Sequence, residues 1–157
     1  MDYFTIARVI HVLSIVIWIG GVTMVTMVII PAVKNMSSKK DKIDTFEIIE
    51  GRFALIAKVT TIISAITGFY MIYRLDAWER YLELKYWWIH AMTIVWFLFT
   101  MVLFVLEPYV LHKLYLKYAN KNPNKTFNFI QKLHWFLLFI SLVAITGAVA
   151  GSHGWLL

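Results

Sequence analysis

The chain has 157 residues, of which 61% are hydrophobic and none is cysteine, and its formal net charge is +6. Soluble domains are about half apolar, so this length and composition predict one domain that places its surface in a lipid bilayer. The missing thiols exclude disulfides, thiolate metal sites and covalent c-type haem attachment. The basic residues lie between apolar runs, which is typical of membrane proteins, so we expect no nucleic-acid partner.

Four apolar segments follow one another along the chain, at about 4–33, 53–73, 86–111 and 127–151. Each reaches the roughly 20 residues that a helix needs to cross the hydrocarbon core. A segment in lipid has to satisfy its own backbone hydrogen bonds, which favours helices. The sequence therefore predicts an all-α integral membrane four-helix bundle, with residues 1–157 forming a single transmembrane domain. The lysine-rich tracts SSKKDK (37–42) and NKNPNK (120–125) are interpreted as solvated turns.

The basic residues are distributed unevenly between the two ends of these segments. Eleven Lys and Arg residues belong to the side of the first and third connections, against four on the opposite side. Because cytoplasmic loops carry an excess of Lys and Arg, this difference predicts that both connections are cytoplasmic and that both termini lie outside. The expected location is the inner (cytoplasmic) membrane, which the chain crosses four times.

Two histidine-containing stretches, HVLSIVIW from residue 11 and HAMTIVW from residue 90, match at an offset of 79 residues. The same offset aligns two identical AITG stretches in the second and fourth segments. Two matches in one register predict two tandem two-helix repeats, related by a pseudo-two-fold axis along the membrane normal. The residues that this axis relates are His11 with His90, Ser14 with Thr93, Thr67 with Thr146, and Gly68 with Gly147.

Histidine is unusual inside a membrane segment, where ionisable groups are costly and usually face the bundle interior. A lone histidine there needs no role beyond one interhelical hydrogen bond. The repeat, however, places His11 and His90 at a similar depth on opposite sides of the axis. Two neutral imidazoles in that arrangement are suited to hold one iron between them. We therefore predict that they are the axial ligands of a haem b between the first and third helices, near the outer side.

The neighbouring polar and small residues are predicted to complete this cofactor site. Gly68 and Gly147 would leave room for a flat macrocycle, although close helix packing explains them equally well. Four hydroxyl groups could accept the second imidazole proton or bond back to their own helices: Ser14, Thr93, Thr67 and Thr146. Haem propionates need cations near the surface, and the candidates are Arg8, Arg74 and His153.

Short motifs resemble two membrane families. His11 followed by Trp18, Gly20-Gly21 and Pro31 resembles the first helix of the HemJ-type and CopD-type families. The stretch from Arg52-Phe53 to Thr67-Gly68 resembles the second helix of the CopD type, and Trp88-Ile89-His90-Ala91 resembles the third helix of the HemJ type. The resemblance to the HemJ-type family implies haem b binding and protoporphyrinogen oxidase activity. The resemblance to the CopD-type family implies copper uptake or resistance.

Met92 departs from the HemJ-type pattern, which has a functionally important lysine two residues after the third-helix histidine. The departure weakens the oxidase interpretation and leaves haem binding by His11 intact. Methionine can itself bind haem iron or copper, so the pair His11 and Met92 is the alternative to His11 and His90.

Three functions remain open at this point. The sequence favours a b-type cytochrome-like protein that transfers electrons, for example between a quinone and an outer-side redox protein. A copper-handling protein would use His11, His90 and Met92, but the outer loop 74–85 has neither His nor Met to collect the ion. A porphyrin oxidase is the third option. The sequence identifies no catalytic residue, and it leaves open whether the chain is an enzyme and whether it forms a homodimer.

Overall fold

The computed structural model describes residues 2–155, apart from the side chains of residues 110–112, and these residues form helices and turns with no β-strand. Five helices follow in chain order: α1 (Tyr3–Lys34), α2 (Lys39–Arg74), α3 (Trp87–Met101), α4 (His112–Lys121) and α5 (Pro123–Ser152). Four stretches are long and apolar enough to cross a membrane: α1, α2, α5 and Leu84–Tyr109, which contains α3. The prediction of an all-helical, multi-pass membrane protein is therefore confirmed.

The outer surface of the bundle is strongly apolar. On α1 alone, five aliphatic side chains are more than half exposed: Val9, Val12, Leu13, Val16 and Ile17. A contiguous apolar surface of this size would be unfavourable in water. It is suited to contact with lipid chains, because the helices satisfy their own backbone hydrogen bonds.

The helices pack as two hairpins, α1 along α2 and α3 along α5. The central core contains Trp18 of α1, which meets Phe99 of α3 edge to face with ring centroids 4.8 Å apart. The end of the bundle that carries Asp2, the connection 75–86 and residues 153–155 is referred to below as the terminal end. The opposite end is referred to as the lysine-rich end.

Two helices begin earlier than the hydropathy pattern predicts. Helix α2 starts at Lys39 rather than near residue 53, because the Ser38 hydroxyl caps it by accepting from the amide of Asp41 at 3.3 Å. Helix α5 starts at Pro123 rather than near residue 127, because the Asn122 side chain caps it in the same way. Most of the tracts 37–42 and 120–125 is thus helical, and their interpretation as turns is wrong. Caps and buried contacts extend a helix into polar sequence that hydropathy alone assigns to loops.

Two membrane-crossing segments, α1 and the segment that contains α3, widen into π-helical turns toward the lysine-rich end. The first segment, Val25–Ile29, precedes Pro31, and the second, Val102–Leu111, contains Pro108. A proline inside a helix donates no hydrogen bond, and its ring collides with the carbonyl four residues earlier. The wider turns relieve that collision.

Candidate functional site

A cavity of about 760 Å³ lies inside the terminal end of the bundle. Cofactor sites typically have volumes of about 300–1,000 Å³ and mostly apolar walls. All four membrane-crossing helices and the connection 75–86 contribute to the wall. The residues on which its chemistry depends include His11, Trp18, Gly68, Trp88, Met92 and Trp96.

His11 is fixed on this wall by contacts between α1 and α2. Its Nδ1 lies 2.9 Å from the carbonyl oxygen of Ser64 and 3.0 Å from the hydroxyl of Thr67. A carbonyl only accepts, so Nδ1 carries the proton and donates it, while Nε2 of the neutral ring keeps a lone pair. Gly68 lies against the ring, since a Cβ atom added there would be 3.1 Å from His11 Cε1. The imidazole is therefore oriented as metal-binding histidines are, with one nitrogen held and the other available.

Three tryptophans line the cavity, and two of them are positioned by a specific contact. The indole of Trp88 packs on Gly151, where an added Cβ would be 2.4 Å from the ring. The indole of Trp96 donates from Nε1 to the carbonyl of Thr61 at 3.1 Å. The Nε1 of Trp18 is buried and has no hydrogen-bond partner within residues 2–155. A buried donor without a partner is costly, and here it lies where a bound molecule could satisfy it.

Two arginines line the cavity, and the described lining residues include no carboxylate. Arg8 comes from α1, one turn closer to the terminal end than His11. Arg80 comes from the connection 75–86, where its guanidinium lies 5.3 Å from the ring centroid of Tyr86. Both side chains are exposed. The cavity therefore has a cationic rim toward the terminal end and an apolar interior.

His90 does not line this cavity. Its Nε2 is 3.0 Å from the carbonyl of Tyr81 and its Nδ1 is 3.4 Å from the carbonyl of Tyr86. Its ring also meets the ring of Tyr81 edge to face, with centroids 5.6 Å apart. These contacts hold the connection 75–86 against the start of α3. The predicted arrangement of His11 facing His90 is thus not formed, whereas Met92 shares the cavity with His11.

Met92 lines the cavity and His90 does not because of the rotation of α3 about its own axis. The buried residues of α1 match those of the span Leu84–Tyr109 at an offset of 81 residues, not 79: Ala7 with Trp88, Ser14 with Val95, Trp18 with Phe99, and Val22 with Leu103. At that offset His11 corresponds to Met92. Successive residues of an α-helix are separated by about 100°, so two residues of difference turn His90 by about 200°.

A smaller rotation separates the two AITG stretches. The buried residues of α2 match those of α5 at an offset of 80 residues: Thr61 with Ser141, Ser64 with Ala144, and Thr67 with Gly147. Thr67 is therefore buried beside His11, whereas Thr146 is exposed on the outer surface. Gly147 packs against Trp87, where an added Cβ would be 2.5 Å from the ring, and it does not line the cavity.

The other predicted residues are divided between the cavity and its surroundings. Thr93 lines the cavity, with its hydroxyl 2.9 Å from that of Tyr81. Ser14 is buried and donates back to the carbonyl of His11 at 2.7 Å. Neither Arg74 nor His153 lines the cavity. His153 is exposed, with its Nδ1 2.8 Å from the carbonyl of Val149.

Three contributors were not recognised from the sequence. The Ser64 carbonyl carries no side-chain signal. In the sequence, Arg80 is only one of the charges in the loop 74–85. Gly151, which receives Trp88, lies four residues after Gly147, and that small-residue spacing is a recognisable sign of close helix packing. Comparisons of the chain with protein-family models, curated proteins and solved structures find no match.

Proposed function

We propose that the chain is a membrane redox protein that binds haem b, with Nε2 of His11 as an axial ligand. The observation that carries this proposal is the combination of a fixed imidazole and an adjoining cavity of about 760 Å³. Nδ1 of His11 is held by Ser64, which leaves Nε2 as an available ligand. Haem proteins use such a histidine, and the surrounding polarity sets the potential of the iron.

The residues around His11 fit a haem. The tryptophan walls match a flat apolar macrocycle, and Trp18 Nε1 is a buried donor with no partner in the described part of the chain. Arg8 and Arg80 supply two positive charges that suit the two propionates. When bound, the haem would supply one-electron chemistry, while the chain holds the ring and excludes water.

Met92 is the better candidate for a second ligand. It lines the same cavity as His11, and a thioether paired with histidine is a known haem ligand set. His90 would first have to leave the carbonyls of Tyr81 and Tyr86 and turn toward the cavity. We assign His90 to positioning the connection 75–86.

Copper handling is the second candidate, and the presence of Met92 beside His11 in one cavity favours it. An imidazole and a thioether suit Cu(I), whereas the two arginines of the same cavity repel a cation. Those arginines make haem the preferred ligand. Oxidation of a porphyrinogen remains the enzymatic version of the haem proposal.

We also propose that the two hairpins arose from one duplicated unit. The π-helical segments support this, because Val25–Ile29 falls within Val102–Leu111 when shifted by 79 residues. The buried faces repeat as well, at 80 and 81 residues, so the two copies would have rotated relative to one another after duplication. The lysine distribution supports an inner membrane location with the terminal end outside. A redox partner would then approach His11 from the outer side.

An absorption spectrum of the detergent-purified protein tests the haem proposal. We expect a Soret band with α and β bands on reduction, and about one haem per chain by pyridine haemochromogen assay. His11→Ala should lose the haem, whereas His153→Ala, at an exposed histidine of the same end, should retain it. Unchanged haem content in His11→Ala would refute the assignment. A colourless protein that binds copper stoichiometrically would favour the second candidate.

The second ligand is tested by two further variants. Met92→Leu should convert a low-spin spectrum to a high-spin one while haem stays bound through His11. His90→Leu should leave the spectrum low-spin and lower the melting temperature, because it frees the connection 75–86. The reverse pattern would show that His90, and not Met92, binds the iron.

A further inference from the structure

A second cavity, of about 680 Å³, lies toward the lysine-rich end. Its wall is mostly apolar and comes from α1, α2, α4, α5 and the segment containing α3. Trp18 lines both this cavity and the one that contains His11. The two cavities are therefore neighbours that share Trp18 as part of their walls.

His134 brings a hydrogen-bond acceptor to this cavity. Its Nδ1 is 3.0 Å from the carbonyl of Ile130, one turn earlier on α5. The carbonyl can only accept, so Nδ1 carries the proton of the neutral ring and Nε2 keeps a lone pair. Within the described residues, Nε2 has no hydrogen-bond partner, and the side chain lines the cavity.

Glu107 brings a second acceptor to the same cavity. One carboxylate oxygen lies 2.9 Å from Nζ of Lys58, and both side chains are largely buried, with 20% and 29% of their surfaces exposed. The carboxylate oxygens of this ion pair accept hydrogen bonds and do not donate them. His134 and Glu107 thus bring two acceptors, an imidazole nitrogen and a carboxylate, to the cavity wall.

The charges of the wall distinguish this cavity from the first. It is lined by two glutamates, Glu50 and Glu107, and by two lysines, Lys121 and Lys125. These charges cancel, whereas the His11 cavity has two arginines and no described carboxylate. A dianionic ligand such as a haem suits the first cavity, and a neutral amphiphile suits the second.

We infer that the second cavity binds an isoprenoid-type quinol, with its two O–H groups donating to His134 Nε2 and Glu107. A quinol is neutral, largely apolar and carries two donors, which matches the two acceptors. Oxidation would break both O–H bonds. One proton would pass to His134 Nε2 and the other to the Glu107 carboxylate, while the ring becomes a quinone. The two electrons would pass, one at a time, to the ferric haem proposed for the His11 cavity, and the outer-side redox partner would have to reoxidise it between the two transfers. This electron transfer rests on the proposed function, but the binding site does not.

Equilibrium binding of decylubiquinol tests the site. Nanodiscs that contain the protein are compared with empty nanodiscs under anaerobic, reducing conditions, and the excess quinol is extracted and quantified. We expect saturable binding of about one quinol per chain. His134→Leu should weaken it about tenfold, the effect of losing one buried hydrogen bond. Trp135→Leu is the matched control, because Trp135 is next in sequence, half exposed and not part of the cavity wall.

The carboxylate and the donor groups of the ligand are tested separately. Glu107→Leu combined with Lys58→Met keeps the pair neutral, removes the acceptor, and should also weaken quinol binding about tenfold. The dimethyl ether of the quinol has no O–H group and loses both hydrogen bonds, so it should bind the unaltered protein about a hundredfold more weakly than the quinol does. His134→Leu should not weaken its binding further.

Several results would overturn the quinol site. They are the absence of saturable binding, equal binding of quinol and dimethyl ether, or unchanged quinol binding in both altered proteins. Two haems per chain, with one lost in His134→Leu, would show that the cavity holds a second haem instead.

Failure of the haem proposal is recognised separately, because quinol binding by a protein without haem refutes only the electron-transfer step. His11→Ala should lose haem and keep quinol binding. In ferric wild-type protein, quinol should reduce the haem, about tenfold more slowly in His134→Leu.

Discussion

Gly68 controls the position of the His11 imidazole, and Gly68→Ala tests that relation. The added Cβ would be 3.1 Å from Cε1 and 3.6 Å from Nδ1 of the ring. Carbon atoms in contact prefer about 3.5–4.0 Å, so the ring would have to retreat by about 0.4–0.9 Å. That shift would stretch the hydrogen bond from Nδ1 to the Ser64 carbonyl, now 2.9 Å long. The weaker hydrogen bond should reduce the free energy that holds the ring in position by about 0.5–1.5 kcal/mol.

The expected consequence of Gly68→Ala is weaker haem binding without loss of stability. Replacing a helical glycine by alanine stabilises a helix by about 0.5–1 kcal/mol, which offsets the stretched hydrogen bond. Haem titration of the apoprotein should show an affinity lower by up to about tenfold, with a shifted Soret maximum. Thermal unfolding should change little. Gly20→Ala is the control, because an added Cβ there has no atom within 4 Å. Equal haem affinities and spectra for both variants would refute this account of Gly68.

Three further predictions concern the support of the ring, the rim of the cavity and the lysine-rich end. Thr67→Val removes an acceptor 3.0 Å from His11 Nδ1, so haem affinity should fall about tenfold, and Thr67→Ser should restore it in the same titration. Replacing Arg8 and Arg80 together by Gln should weaken binding of haem but not of its dimethyl ester, as measured by competition between the two. Burial, together with the nearby carboxylates, raises the pKa of Tyr115, so the unfolded chain ionises first and the folded state loses stability as pH rises above about 10. Tyr115→Phe should reduce that alkaline loss in pH-dependent unfolding curves.

Each of these predictions has a result that contradicts it. If Thr67→Ser binds haem as weakly as Thr67→Val, the hydroxyl does not orient the ring. If the haem ester and the free acid respond equally to the arginine replacements, the arginines do not bind the propionates. If Tyr115→Phe unfolds with the same alkaline pH profile as the wild type, Tyr115 ionisation does not destabilise the fold.

Membrane class and the number of membrane-crossing segments could be read from the sequence because they depend on local composition. Long apolar runs have to form helices in lipid, whatever their neighbours are, and four such runs were found. The orientation of His11 toward the bundle interior could also be predicted from the sequence, because a polar group in an apolar membrane helix usually faces the interior. The starts of α2 and α5 were less readable, since Ser38 and Asn122 caps extend those helices into charged sequence.

Tertiary structure decided which residues meet. The sequence repeat of 79 residues relates His11 to His90, but the buried faces repeat at 81 residues and bring Met92 to the cavity instead. The rotation of a helix about its axis is set by contacts with its neighbours, such as Trp87 on Gly147 and Trp88 on Gly151. One residue of difference turns a side chain by about 100°, so identical sequences on α2 and α5 present different faces. Local sequence determined that His11 would lie in a membrane-crossing helix, and packing between helices determined what lies opposite it.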